Sequence, residues 1–136
     1  YLTNNQLDDT KRRLGKFYLK LGRPVVINNG IDTQLFSPKK QINFEAPFQI
    51  FAFGRFIRIK DFQSIIKAVK ILKEQNAPNF HVYLAGDGET FEECKSLSNE
   101  LSVENQITFL GMQPESVLLE YLQKCANCYI RIKIFY

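Results

Sequence analysis

The residues with most chemical potential sit in short loops that begin with glycine. Gly54-Arg55-Phe56-Ile57-Arg58-Ile59-Lys60 sets three cations just ahead of Asp61 and a helical pattern. Cations beside a helix N-terminus, where unpaired N–H groups and the helix dipole both favour negative charge, make an anion site, and phosphate or diphosphate is its natural guest. Gly86-Asp87-Gly88-Glu89 and Gly111-Met112-Gln113-Pro114 form two further loops of this type, and Asn28-Asn29-Gly30-Ile31-Asp32 forms a fourth. Glycine directly after a strand lets backbone approach backbone or ligand closely. Each loop also has a plainer reading. Gly86-Asp87-Gly88 lacks the third glycine of a dinucleotide fingerprint, because position 91 is Phe91, and so taken alone reads first as a tight turn and second as a ligand contact. Arg55 and Lys60 taken singly read equally as solvated surface charge.

Other reactive side chains point to structure. Cys125-Ala126-Asn127-Cys128 has metal or redox spacing, but the pair stands alone and begins at a helix C-terminus, where the dipole raises a thiol pKa. Cys94 falls on the apolar face of its helix, so all three cysteines read as packing residues. His81, the single histidine, precedes a buried strand and fits an edge or packing role.

The loops are spaced by alternating strands and helices. Pro24-Val25-Val26-Ile27, Phe48–Phe53, Phe80–Ala85, Ile107–Gly111 and Cys128–Ile134 read as strands, short and continuously apolar, as in a sheet covered on both faces. Between them, Asp61–Gln75 places Phe62, Ile65, Ile66, Val69 and Leu72 at helical spacing, with Asp61 as N-cap and Ala77-Pro78 as the stop. Glu89–Leu101 buries Phe91, Cys94, Leu97 and Leu101, and a short helix with Pro114 in its first position buries Val117, Leu118, Tyr121 and Leu122. The order predicts an α/β fold with a mostly parallel, doubly wound sheet, in which ligands bind beyond the carboxyl ends of the strands.

Composition narrows the classes further. The 136 residues are 45% hydrophobic and 24% charged, a globular balance that excludes disorder and fibre. No apolar run approaches membrane-spanning length, and the sequence reads as cytoplasmic. The formal charge of +4 lies entirely in residues 1–24, where Lys11, Arg12, Arg13, Lys16, Lys20 and Arg23 outweigh Asp8 and Asp9. Basicity confined to one segment argues against nucleic acid as partner. Residues 11–21 pattern as a helix opposing Leu14, Phe17, Tyr18 and Leu21 to the cations, either an interdomain connection or a membrane-surface helix.

The order of the loops resembles one family. Val26-Ile27-Asn28-Asn29-Gly30-Ile31-Asp32 through Phe36 and Pro38 is similar to the Asn-Gly-(Ile/Val)-Asp…Phe-x-Pro segment of the retaining group 1 (family 4) glycosyltransferases. Gly54-Arg55 with Lys60 resembles their Gly-Arg…Lys-Gly segment, Gly86-Asp87-Gly88 their Gly-x-Gly turn, and Ile107–Gly111 their Phe-Leu-Gly strand. Leu119–Ile130, with Tyr121 and Ala126-Asn127, resembles the helix and strand that follow. The resemblance implies a GT-B enzyme with two Rossmann-like domains. Residues 1–24 would be the tail of the first domain and its connection, and residues 25–136 part of the nucleotide-sugar-binding domain, ending before the family's Glu-x7-Glu segment. It further implies that Arg55 and Lys60 contact the donor diphosphate, that Gly54, Gly86 and Gly88 let backbone approach the nucleotide, and that Leu110, Gly111 and Met112 face the base. The partners implied are a nucleotide-sugar donor and a saccharide or lipid-linked acceptor, with peripheral membrane association as an addition and no metal cofactor. Asp61 departs from the family's usual glycine, Asn127 from its aspartate, and Arg131-Ile132 from its Pro-Ser. Two rival readings are another Rossmann-type enzyme, a methyltransferase or dehydrogenase, and a non-catalytic binding module. As a 136-residue piece, the chain is expected to be inactive alone.

Overall fold

The three central apolar runs form strands where their composition predicts them. A computed structural model describes residues 3–20, 22–28, 30, 32–35, 37 and 46–124, and divides the chain into two compact units, Tyr1–Ser37 and Pro38–Tyr136. In the second unit, β1 (Phe48–Phe53), β2 (Phe80–Ala85) and β3 (Ile107–Gly111) pair in parallel in the order β1-β2-β3. The register sets Ile50 beside Val82 and Val82 beside Ile107. A shift between Leu84 and Ala85 pairs Leu84 with Phe109 but Ala85 with Gly111, which leaves Leu110 as an extra residue at the carboxyl end of β3.

A helix follows each strand: α2 (Phe62–Glu74), α3 (Phe91–Glu100) and α4 (Glu115–Lys124). The first two cover one face. Phe62, Ile66 and Val69 of α2 and Cys94 of α3 join Ile50, Ala52, Val82, Leu84 and Ile107 in the main core. Each fully buried aliphatic there contributes on the order of 2 kcal/mol. The opposite face pairs Phe51 and Ala85 with Leu118, Tyr121 and Leu122 of α4, so helices flank both faces of a parallel sheet. This is the predicted α/β, doubly wound arrangement. Val117, Leu118, Tyr121 and Leu122 are half-buried, not buried as expected, and no residue of α4 is fully covered. Among the described residues α4 is the one helix on this face, and it shields its inner side only. Pro114 precedes the first turn by one position, and its carbonyl accepts from the Val117 and Leu118 N–H groups.

The helix ends use more left-handed backbone than the sequence suggests. At the end of α2, Asn76 (φ 50°) turns the chain so that the Ala77 N–H reaches the Leu72 carbonyl and the Asn76 N–H the Lys73 carbonyl. Ser102 (φ 55°) does the same after α3, where the Val103 N–H reaches the Ser98 carbonyl and Val103 is buried. Both are Schellman closures without glycine. The closure of α2 falls at Asn76, two residues ahead of the expected stop at Pro78.

The first unit differs from expectation. Its α-helix, α1, runs Asn4–Leu14 and not 11–21, because the Thr3 hydroxyl caps the Gln6 N–H at 3.2 Å and Gly15 (φ 51°) ends it. A 3-10 helix continues over Gly15–Lys20. The expected strand at 24–27 is not formed. Val25 and Ile27 are 62% and 70% exposed, and the described elements of this unit are helical. The Asp32 carboxylate instead accepts from the Gln34 and Leu35 N–H groups, an Asx turn. The expected strand Cys128–Ile134, the Cys125/Cys128 pair, Asn29, Ile31, Phe36 and Pro38 lie outside the described residues.

Candidate functional site

The loops at the carboxyl ends of the three strands meet through backbone contacts. The Gly54 N–H donates to the Ala85 carbonyl at 3.0 Å, the Phe56 N–H to the Asp87 carbonyl at 2.9 Å, and the Gly86 N–H to the Gly111 carbonyl at 2.7 Å. The Phe56 carbonyl in turn accepts from the Thr90 N–H at 3.0 Å, at the head of α3. The loops after β1, β2 and β3 are therefore stitched into one platform. Gly86 (φ 125°) and Gly88 (φ 152°) make it possible: a Cβ on Gly86 would lie 1.9 Å from the Gly54 oxygen, and one on Gly88 2.5 Å from the Phe56 oxygen.

Above this platform lies a cavity of about 230 Å³. Phe53, Gly54 and Arg55 line it from β1, Ala85, Gly86 and Asp87 from β2, Met112 and Gln113 from beyond β3, and Leu118 from α4. The structure thus brings together Gly54, Arg55, Gly86 and Met112 of the sequence-derived candidates. Arg55 and Met112 are exposed, Met112 at 75%. The other candidates take supporting positions. Gly88 braces Phe56, Gly111 receives the Gly86 N–H, and the Leu110 carbonyl accepts the Gln113 side-chain amide at 2.6 Å. Lys60 closes the 3-10 turn Arg58–Lys60 and is half-buried, outside the lining of this cavity. Phe53, Asp87, Gln113 and Leu118 were not singled out as site residues in the sequence. Asp87 and Gln113 belong to two of the loops named from the sequence, whereas Phe53 and Leu118 were read there as strand and helix packing residues.

Arg58 lines a separate cavity of about 300 Å³ with Asp61, Gln63, Thr90 and Glu93. Asp61 explains the family's glycine at its position. Its backbone is left-handed (φ 50°, ψ 50°), and its carboxylate caps α2, accepting from the Ser64 N–H at 3.3 Å and the Ser64 hydroxyl at 2.6 Å. The chain's own carboxylate therefore fills the cap of α2. An N-cap is worth about 1 kcal/mol and left-handed backbone costs a non-glycine residue about the same. Asp61→Gly is therefore expected to hold stability within about 1 kcal/mol, whereas Asp61→Ala, which loses the cap and keeps the strain, should lose about 1–2 kcal/mol. Urea unfolding of both variants checks the order, and a more stable alanine variant would contradict it.

The remaining titratable candidates are structural. His81 Nε2 lies 2.7 Å from the Thr108 hydroxyl, and burial holds its pKa below the usual 6.5. Burial, aided by the charges of Glu93 and Asp61 against a hydrogen bond from Thr90, pushes the Cys94 thiol up from 9.0, so it stays protonated. Among the described residues no cluster of His, Cys, Asp and Glu is placed to hold a metal.

Relatives share this frame. The family described as glycosyl transferases group 1 matches residues 34–131. The lipopolysaccharide core biosynthesis glycosyltransferase LpsD of Rhizobium meliloti is 33% identical over 66 residues, 48% of this chain and 18% of that protein. The chain thus aligns with about a fifth of the length of that curated relative. Among solved structures, the catalytic domain of the cholesterol-α-glucosyltransferase of Helicobacter pylori is 31% identical, covering 59% of this chain and 47% of that one, with a TM-score of 0.50. S. aureus TarM, in a variant solved with fondaparinux, α-GlcNAc-glycerol and UDP, covers 82% of this chain and 21% of its own at 16% identity and a TM-score of 0.65. The TarM likeness is one of fold. With the family matched across well over half of its residues, the chain belongs to the group 1 glycosyl transferases.

Proposed function

We propose that the complete protein transfers a sugar from a nucleotide-diphosphate-sugar donor to a saccharide or lipid-linked acceptor, with retention of configuration as in family 4. The observation that carries this reading is Arg55 beside a cavity built from the carboxyl ends of three parallel strands, where α/β folds bind nucleotides. The related proteins lend the substrate class: LpsD acts in lipopolysaccharide core synthesis, and TarM was solved with UDP and a glycosylated glycerol. In this reading Phe53, Met112 and Leu118 give the nucleotide apolar contact, and the exposed guanidinium of Arg55 meets its diphosphate. As the bond between the anomeric carbon and the phosphate oxygen breaks, its electron pair leaves with the nucleoside diphosphate. Arg55, with Lys60 at the foot of α2, offsets that growing charge without a divalent metal. The site faces the cytoplasm, where nucleotide sugars are made.

Titration of the complete protein with UDP, GDP and ADP in turn tests the assignment. A charged hydrogen bond to phosphate is worth about 1.5–3 kcal/mol, so Arg55→Ala should weaken the preferred diphosphate roughly tenfold or more. Lys60→Ala should weaken it as well, and turnover should fall about 10²–10³-fold for a lost transition-state contact. Unchanged affinity in both variants would remove the diphosphate assignment. Tight diphosphate binding with no sugar transfer would favour the binding-module reading.

A further inference from the structure

Arg58 is a cation of the loop after β1 that the cavity beside Arg55 does not use. It lines the other cavity, of about 300 Å³, and the two cavities share no lining residue. Three elements supply the polar side chains of that second cavity. Arg58 comes from the 3-10 turn, Asp61 and Gln63 from the head of α2, and Thr90 and Glu93 from the head of α3. Both carboxylates are held by their neighbours. Asp61 accepts from the Ser64 N–H and hydroxyl, and Glu93 accepts from the Gln63 amide at 3.3 Å, which ties the two helix heads across the cavity. Among the described residues Arg58 makes no ion pair, although two carboxylates line the same space. Opposite charges that share a cavity without touching suit a ligand that carries donors and acceptors together.

We propose that this second cavity binds a neutral pyranose, a sugar residue other than the one being transferred. Two carboxylates against one guanidinium oppose a phosphate or a carboxylate ligand. Among the described residues no group of three acidic, histidine or cysteine side chains is placed to hold a metal, so a cation has too few ligands here. Arg58 offers only donors, Glu93 only acceptors, and Gln63 both. A sugar hydroxyl donates and accepts at once, so neighbouring hydroxyls give to Glu93 and take from Arg58. Ile57 and Phe62, also in the lining, meet the C–H face of the ring. A volume of about 300 Å³ stands at the small end of ligand pockets, suited to one sugar ring and not to a nucleotide sugar.

Titration of the complete protein with the methyl α-glycosides of glucose, galactose, mannose and N-acetylglucosamine, followed by ligand-observed NMR, tests this. At least one should bind in the millimolar range, as a single ring with few contacts allows. Each titration is run with and without UDP. A failure of the nucleotide assignment then shows as no UDP binding and leaves the sugar result readable. Arg58→Ala and Glu93→Ala should each weaken the preferred glycoside roughly tenfold, the usual loss when a charged group no longer bonds to a ligand. UDP affinity and the thermal midpoint should stay at wild-type values in both, because the two side chains are exposed and lie outside the cavity beside Arg55. Should one variant unfold, the other, on a different element, still decides. No binding of any of the four glycosides would overturn the proposal. So would glycoside binding unchanged in both variants, which places the sugar elsewhere on the protein. Displacement of the bound glycoside by inorganic phosphate would make the cavity an anion site and overturn it too. A loss of UDP affinity in Arg58→Ala with glycoside binding intact would return Arg58 to the nucleotide site, with the same result.

Discussion

Gly86→Ala is expected to destabilise the sheet unit by at least about 3 kcal/mol, far beyond the usual cost of a surface glycine. The added Cβ would sit 1.9 Å from the Gly54 oxygen, a backbone atom that cannot rotate away. Relief requires the β1 and β2 loops to part, which breaks the bonds from the Gly54 N–H to Ala85 and from the Phe56 N–H to Asp87. Two such bonds contribute about 0.5–1.5 kcal/mol each, and φ of 125° adds strain of about 1–3 kcal/mol for any residue with a Cβ. Gly54→Ala is the matched control. Its φ is 153°, but its Cβ would find only Phe62 Cζ at 3.9 Å, an ordinary contact. It therefore pays strain without a clash. Urea unfolding of both should show a clearly lower midpoint for Gly86→Ala with unchanged slope. Equal midpoints would mean that the close approach of the two loops is not a constraint on the fold. Because Gly54 and Gly86 both line the cavity, diphosphate affinity should fall with stability in Gly86→Ala.

The sheet and its crossovers were legible because their signal is local. Phe48–Phe53 and Phe80–Ala85 are apolar runs between turn residues, and Phe62, Ile66 and Val69 repeat with the helical period, so composition and spacing define them. Gly54, Arg55, Gly86 and Met112 were found together because each sits just past a strand, and a parallel sheet aligns such positions at one end. What stayed hidden depends on distant partners. Val25 and Ile27 have strand composition, yet both stand exposed outside any strand, since composition alone does not supply a covering layer. Leu118 lines the cavity from α4, and the register shift leaves Leu110 unpaired at the end of β3; neither is encoded in a local periodicity. Asn76 and Ser102 take the left-handed turns usually left to glycine, because buried Val103 and the closing backbone bonds offset the strain. The roles of Gly86 and Gly88 were legible in kind, as close approach. The sequence could not show that each approaches another loop of the same chain.

Phe56→Ala should cost about 3–5 kcal/mol, the range for removing a buried phenylalanine, and should reach the site as well as the core. The ring is completely buried, stacked on Phe62 at 4.0 Å and 9°, edge-on to Phe91 at 4.9 Å and 80°, and 6.4 Å from Phe109. Phe62 opens α2, Phe91 opens α3 and Phe109 lies within β3, so a single side chain fastens both helix heads to the sheet. Its backbone does a second job, donating to Asp87 and accepting from Thr90, which holds the loop that presents Arg55. Removing the ring leaves those bonds formally intact but takes away the packing that fixes their geometry, and a displacement of even an ångström weakens an aligned ionic contact. Phe56→Leu separates the two effects. It keeps most of the volume and should lose only about 1–1.5 kcal/mol, as volume-conserving swaps do, with diphosphate affinity near wild type. Phe56→Ala, titrated at a temperature where it is still folded, should bind more weakly than Phe56→Leu. If the folded alanine variant binds as tightly as wild type, the Arg55 loop is held by its backbone bonds alone and the ring belongs only to the core.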